Sequence, residues 1–374
     1  MRLIANELSP LKVLALIGEQ NASSMWRVWQ PCQRLQEQNY PAVWGWLDDP
    51  GLHLTAQGAD IIVLPRLGWT LDKHAARDRW FDALRRAGKC LIYEVDDDHF
   101  SGFFARHLVE SEWKTMEQAE QASANVREAL QMCDGVTVSV QRLATLVRTL
   151  TDKPVVVAPN AIDLRWWDAV LARALRVPEA RGYTTIGWSG ARRPSADFDA
   201  MLTAWSYIAK RHPEVRFVVN GYKPKSLYQY VPESQVVSLP WLAPEEYPLG
   251  FKSIDIGCCV LKDEPFNRCK SDIKAQEYGA SGIAVVYSPT VYGVTLRDGK
   301  DGLMADSADD WTEQLTRLLE DERLRKRLAH TLHKRVRKEM CLDVNLWRWP
   351  YAWESIYQDF SARRARDSLV IARA

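Results

Sequence analysis

Between Phe266 and Ser288 the chain reads FNRCKSDIKAQEYGASGIAVVYS, and four of its side chains could do chemistry together: Lys270, Ser271, Lys274 and Glu277. The pattern predicts a helix from about Ser271 to Ala280, stopped by Gly282 and followed by an apolar strand. The first amides of a helix lack intrahelical partners, so a hydroxyl and two ammonium groups beside them suit a phosphate. Glu277 lies further along, where a carboxylate can accept hydrogen bonds from the paired hydroxyls of a sugar. Lys274 and Glu277 share a helix face, and the same spacing also makes a plain ion pair on a solvated helix. A second stretch is Ser189-Gly190-Ala191-Arg192-Arg193. Its glycine permits a tight turn, and its two guanidinium forks match a diphosphate or simply stand on a surface loop. The third is Glu94–His99, with Asp96, Asp97 and Asp98 in a row. Such a run can supply a general base, a hydroxyl-binding group, Mg²⁺ or Mn²⁺ ligands, or a helix cap. Adjacent carboxylates repel, which raises the proton affinity of one of them.

Short apolar runs alternating with helical patterns must position these groups. Strands are predicted at Lys12–Ile17, Ala42–Trp46, Ile61–Leu64, Cys90–Val95, Gly135–Val138 and Pro154–Ala158. The pattern restarts after charged residues near Glu179–Gly182, with strands at Thr184–Trp188, Arg216–Asn220, Gln235–Leu239, Ile254–Val260, Ile283–Tyr287 and Leu303–Ala305. Helices are expected between them, among them Met25–Gln38 with Pro31 kinking it or marking its true start, Leu71–Ala87, and a polar helical region at Ser111–Cys133. A charged helical region covers Trp311–Met340, and Trp347–Arg373 closes the chain as an amphipathic helix with a basic end. This alternation predicts two doubly wound parallel sheets, with ligands beyond the carboxyl ends of their strands and in the cleft between the domains. Arg27, on the first helix, is a lone arginine that could reach that cleft.

Composition narrows the field. The 374 residues suffice for two domains, and 49 basic against 48 acidic residues leave no global charge for nucleic acid. Seven cysteines include no C-x-x-C pair, so neither zinc nor a disulfide framework is indicated. No G-x-G-x-x-G or P-loop is present. No signal-peptide pattern opens the sequence and no apolar run approaches the about 18 residues of a membrane span, so a soluble cytoplasmic setting is expected. Sixteen tryptophans are many, and fit core packing and sugar stacking.

The segments IYEVDDDHF, APNAID, IGWSGARRPSADF, DIGCCVL, FNRCKSDIKAQEYGASG and DGLMA, in this order and spacing, resemble glycosyltransferases of the GT-B architecture, particularly the retaining family 4 group. The resemblance implies two Rossmann-like domains facing each other across a cleft: an acceptor-binding domain at 1–178, a nucleotide-sugar domain at 179–345, and a helical segment at 346–374 packing back on the first. It implies transfer of a hexosyl or pentosyl group from a nucleotide-diphosphate sugar, UDP or GDP first, to an acceptor hydroxyl with retention and without metal or bound cofactor. Glu277 would hold the ribose. Ser271 to Lys274, with Lys270, would cradle the phosphates, and Ser189, Gly190, Arg192 and Arg193 the diphosphate. Arg192 and Lys274 would be catalytic, together with Asp97 or Asp98 facing the acceptor or the donor sugar. The acceptor is expected to be a glycan, a lipid-linked sugar, a small molecule or a modified DNA base, with peripheral membrane contact open. Cys269 departs from the family pattern, which places a carboxylate there. A non-catalytic sugar-nucleotide-binding protein is the reading from another class.

Overall fold

The computed structural model describes residues 11–18, 21–65, 74–173, 182–191 and 195–371, and every structural statement refers to these. Arg192 and Arg193 lie outside them, as do Leu71 to Lys73 and most of the expected linker at Glu179–Gly182. The chain divides into two compact units: one of residues 1–106, 115–160 and 345–374, the other of residues 107–114 and 161–344.

The first unit is built on six parallel strands: β1 (Val13–Ile17), β2 (Ala42–Trp46), β3 (Ile61–Pro65), β4 (Cys90–Val95), β5 (Gly135–Val138) and β6 (Val155–Val157), in the order β2-β1-β3-β4-β5-β6. β1, β4 and β5 are buried throughout. That is why they read as continuous Val, Ile and Leu runs and not as alternating ones. The helix expected at Met25–Gln38 has two parts. A π-helical turn, Met25–Trp29, passes into an α-helix at Gln30–Glu37 with Pro31 in its first turn. Proline has no N–H to give the carbonyl four residues back. That carbonyl belongs to Arg27, and it accepts the indole N–H of Trp349 instead, at 3.2 Å.

Trp349 belongs to the last helix, Arg348–Ile371. Tyr40 donates to Glu354 on it at 3.0 Å, and Arg363 donates to the Asp134 carbonyl at 2.6 Å. Gly135 is glycine because the Ile356 side chain fills the place of its Cβ. No helix is long and apolar enough to cross a membrane.

The second unit repeats the plan with β7 (Thr185–Gly190), β8 (Arg216–Gly221), β9 (Val236–Leu239), β10 (Ile256–Cys259), β11 (Ala284–Tyr287) and β12 (Leu303–Met304), all parallel, in the order β12-β11-β10-β7-β8-β9. Strand order reverses between β7 and β10, the place where open α/β sheets bind ligands at their carboxyl ends. Trp188, Trp205 and Trp311 fill the core of this unit. Asp301 anchors its far side. Its fully buried carboxylate accepts from Arg297 at 2.7 and 2.8 Å and from Arg335 at 2.5 Å. Burial alone would raise its proton affinity, but the two guanidinium groups win and hold it below the usual carboxylate range.

Helix boundaries moved most. The helix expected from Ser271 runs Ile273–Ala280 with Asp272 at its N-cap, so Lys270 and Ser271 precede it. The expected region at Ser111–Cys133 is the helix Met116–Met132, started by a capping box between Thr115 and Gln118. Short helices at Leu52–Gly58, Gly102–Glu110 and Pro289–Thr295 had no expected counterpart.

Candidate active site

At the β7/β10 switch point the second unit holds a connected polar network around Tyr247. The ammonium of Lys274 donates to the Tyr247 hydroxyl at 2.5 Å and to Glu277 Oε2 at 2.7 Å. Tyr247 donates to the same Oε2 at 3.0 Å. With its one proton spent there, Tyr247 accepts from the Ser189 hydroxyl, 3.2 Å away, and Ser189 in turn accepts from the Asn220 amide at 3.2 Å. The donors therefore run in one direction, from Asn220 through Ser189 and Tyr247 to Glu277.

Each member has a sequence reason for its place. Ser189 and Asn220 are the next-to-last residues of β7 and β8, level with each other in the sheet register. Gly250 has no Cβ, which leaves room for the Asn220 amide. Gly257 likewise makes room for the Tyr278 ring, which presses the Ile273–Ala280 helix onto β10. Tyr247 comes from the 3₁₀ segment Pro244–Phe251, held by Trp167 and Phe251 rings at 6.2 and 5.3 Å.

Glu277 is 1% exposed and Lys274 20%, so this pair works in a low-dielectric setting. Burial acts to lower the Lys274 proton affinity, but Glu277 and Tyr247 outweigh it and raise it above the ordinary lysine range. Burial and the Glu277 charge push the Tyr247 phenol up to about 12. At neutral pH the ammonium is therefore charged and the phenol protonated. Glu277 Oε1 accepts no hydrogen bond from a described residue, whereas Oε2 takes two. One carboxylate oxygen is pinned by two donors and the other keeps its lone pairs unused by the described residues.

The loop before this helix is fastened to the segment after β7. Asn267, fully buried, donates to Asp197 at 2.8 Å and to the Lys262 carbonyl at 3.1 Å, and the Lys262 amide donates to Asp197 at 3.2 Å. Lys270 lies 4.4 Å above the Phe266 ring, which also stacks with His107 at 4.1 Å. Cys269 is buried.

The structure thus brings together Ser189, Lys274 and Glu277 of the residues singled out in the sequence, places Gly190 as the last residue of β7, paired with Gly221, and not in a turn, and places Lys270 and Ser271 on the loop before the helix. The Ser189 hydroxyl is used inside the network. Sequence reading missed Tyr247 and Asn220. Tyr247 lies 58 residues from Ser189 and 27 from Lys274, and no local pattern marks it.

In the first unit the acidic run divides its labour. Glu94, 2% exposed, pairs with Arg27 at 2.8 Å and accepts from Thr137 at 2.5 Å. Arg27 also donates to the Ala158 carbonyl and to Asn160, so its guanidinium is committed to buried partners within the first unit. Burial raises the Glu94 proton affinity, and Arg27 opposes it. Asp98 accepts from the Phe100 and Ser101 amides at 3.0 Å each and from the Ser101 hydroxyl. Those bonds shape the turn into the helix Gly102–Glu110, which is capping work. Asp97 beside it is half-buried.

The model of a family described as glycosyl transferase-like matches residues 201–344, which contain Tyr247, Lys274 and Glu277. Sucrose-phosphate synthase from Thermosynechococcus elongatus shares 15% identity at a TM-score of 0.61, over 93% of this chain and 99% of that one. HepE from Anabaena, solved with UDP and glucose, shares 13% at a TM-score of 0.60, over 92% and 100%. TarM of S. aureus, solved with fondaparinux, alpha-GlcNAc-glycerol and UDP, shares 10% at a TM-score of 0.55, and the chain spans 55% of its length. No curated protein matches. The two Rossmann-like units have the GT-B fold. The family match is confined to residues 201–344, within the second unit.

Proposed function

We propose that this protein is a glycosyltransferase that moves a sugar from a UDP-sugar to an acceptor hydroxyl, with the donor held by the second unit. The observation that carries this reading is the buried Asn220-Ser189-Tyr247-Lys274-Glu277 network at the β7/β10 switch point, which leaves Glu277 Oε1 as an open acceptor. The ribose hydroxyls donate to Glu277. The diphosphate lies against the start of the Ile273–Ala280 helix with Lys270, Ser271, Arg192 and Arg193, and Lys274 supplies charge as the leaving diphosphate develops. UDP is favoured over GDP because HepE was solved with UDP-glucose, and TarM and the pneumococcal transferase GtfA with UDP.

The resemblance to family 4 supports retention of anomeric configuration and chemistry without metal. Asp97 or Asp98 faces the acceptor or the donor sugar in this reading, and Asp98 also shapes its own turn. The test is nucleoside-diphosphate release from UDP-glucose, UDP-N-acetylglucosamine, UDP-galactose and GDP-mannose, with mixed glycoside acceptors and with EDTA. Release that depends on Lys274 and Glu277 and survives EDTA is the expected result. Silence with every donor would contradict the reading.

A further inference from the structure

Three tryptophans of the first unit lie outside everything assigned so far. Trp44 and Trp46 stand two apart on β2, the edge strand of the sheet, so their side chains leave the same face. Their rings meet edge to face at 6.1 Å and 85°, and Trp29 meets Trp44 at 6.4 Å and 67°. Trp29 closes the π-helical turn that follows β1, and Trp46 pairs in register with Ile17, the last residue of β1. The trio therefore sits toward the carboxyl end of the sheet, where open α/β sheets take ligands. On the face that carries the two indoles burial falls from fully buried Ala42 through half-buried Trp44 to Trp46 at 36% exposure.

We propose that Trp29, Trp44 and Trp46 form a carbohydrate-binding platform, with Asp48 at its rim, that stacks on the pyranose rings of a glycan. Equatorially substituted sugars such as glucose and N-acetylglucosamine present a flat face of C–H groups, which the electron-rich face of an indole attracts. Their hydroxyls ring the edge and need acceptors. Asp48, two residues after Trp46, is exposed and makes no bond to a described residue, while Asp49 is anchored to the Gly51 amide at 2.7 Å. Edge-to-face packing fixes the indoles before the ligand arrives, which lowers the ordering cost of binding. A lipid bilayer is the competing occupant for exposed tryptophan, but two carboxylates beside the indoles repel acidic headgroups. Resting on the transferase reading above, this glycan is the acceptor; the platform itself stands without that reading.

The test is calorimetric titration of the full chain with cellotetraose, chitotetraose and maltotetraose, and separately with UDP. At least one β-linked tetrasaccharide binds, and Trp46→Ala or Trp44→Ala weakens it about tenfold or more. Trp46→Phe keeps most of the affinity, Asp48→Ala lowers it, and all four variants bind UDP as the parent does. Failure of the folded parent to bind any of the three sugars overturns the proposal. So does sugar binding that Trp46→Ala and Trp44→Ala leave untouched, or a Trp46-dependent association with phosphatidylglycerol vesicles in place of sugar. Sugar binding without UDP binding removes the transferase reading and keeps the platform; the reverse result removes the platform alone.

Discussion

Replacing Lys274 by methionine keeps the stem that packs against the helix and deletes the ammonium. Glu277 then loses its nearest cation in a site where it is 1% exposed, and Tyr247 loses a donor. Breaking a buried ion pair on one side costs about 3–5 kcal/mol, much of it the penalty for the stranded charge. Lys274 keeps 20% of its side chain in contact with solvent. Water can follow into the space, so the loss should sit near the lower end, at about 3 kcal/mol. Glu277→Gln should cost less, since the amide still accepts from Tyr247 and the remaining ammonium can turn toward solvent. The double variant leaves no stranded charge. It should therefore be more stable than the sum of the two single losses by about 1–2 kcal/mol, a coupling typical of contacting residues. Urea unfolding of the four proteins, followed by circular dichroism, measures this cycle. Strict additivity would show that the pair is no more than a surface contact, and the reasoning about the site would be refuted.

Asp301→Asn removes the charge that two arginines hold. The folded-state proton affinity of Asp301 is depressed, so its contribution is present above the unfolded value and is lost as pH falls through the folded one. The variant should be about 2 kcal/mol less stable at neutral pH, with the gap closing in acid, as thermal melts from pH 7 downward would show. Gly135→Ala should cost about 1–3 kcal/mol through collision with Ile356, and Ile356→Ala in the same chain should recover part of it in the same melts. Trp349→Phe removes the donor that serves the Arg27 carbonyl and should cost about 1 kcal/mol. Arg27→Ala strands Glu94 and should cost about 3–5 kcal/mol or prevent folding, which expression level and urea midpoints would separate.

The two sheets were legible because their central strands, β1, β4, β5, β7, β10 and β11, are buried on both faces and so appear as short apolar runs between turn residues; all twelve strands stand where the expected runs lie. Helix starts were less so. Asp272, not Ser271, occupies the N-cap position of the Ile273–Ala280 helix, without a side-chain capping bond, and nothing local distinguishes the two adjacent polar residues. The Lys274–Glu277 face was visible in the spacing, but its partner was not. Tyr247 reaches Lys274, Glu277 and Ser189 only once β7, β10 and the segment between them have folded together. Glu94 and Asp98 looked like equal members of an acidic run. One faces inward from a strand onto Arg27 and the other turns back onto its own loop, a difference set by strand alternation and by the turn.

Calorimetric titration of the full chain with UDP, set beside the same titration of Glu277→Gln, tests the central claim most directly. The account predicts one site per chain in the parent and an affinity about tenfold lower or worse in the variant, because a carboxylate that accepts two ribose hydroxyls is replaced by an amide. A folded parent that binds no nucleoside diphosphate, or a Glu277→Gln protein that binds UDP as tightly as the parent, would contradict it.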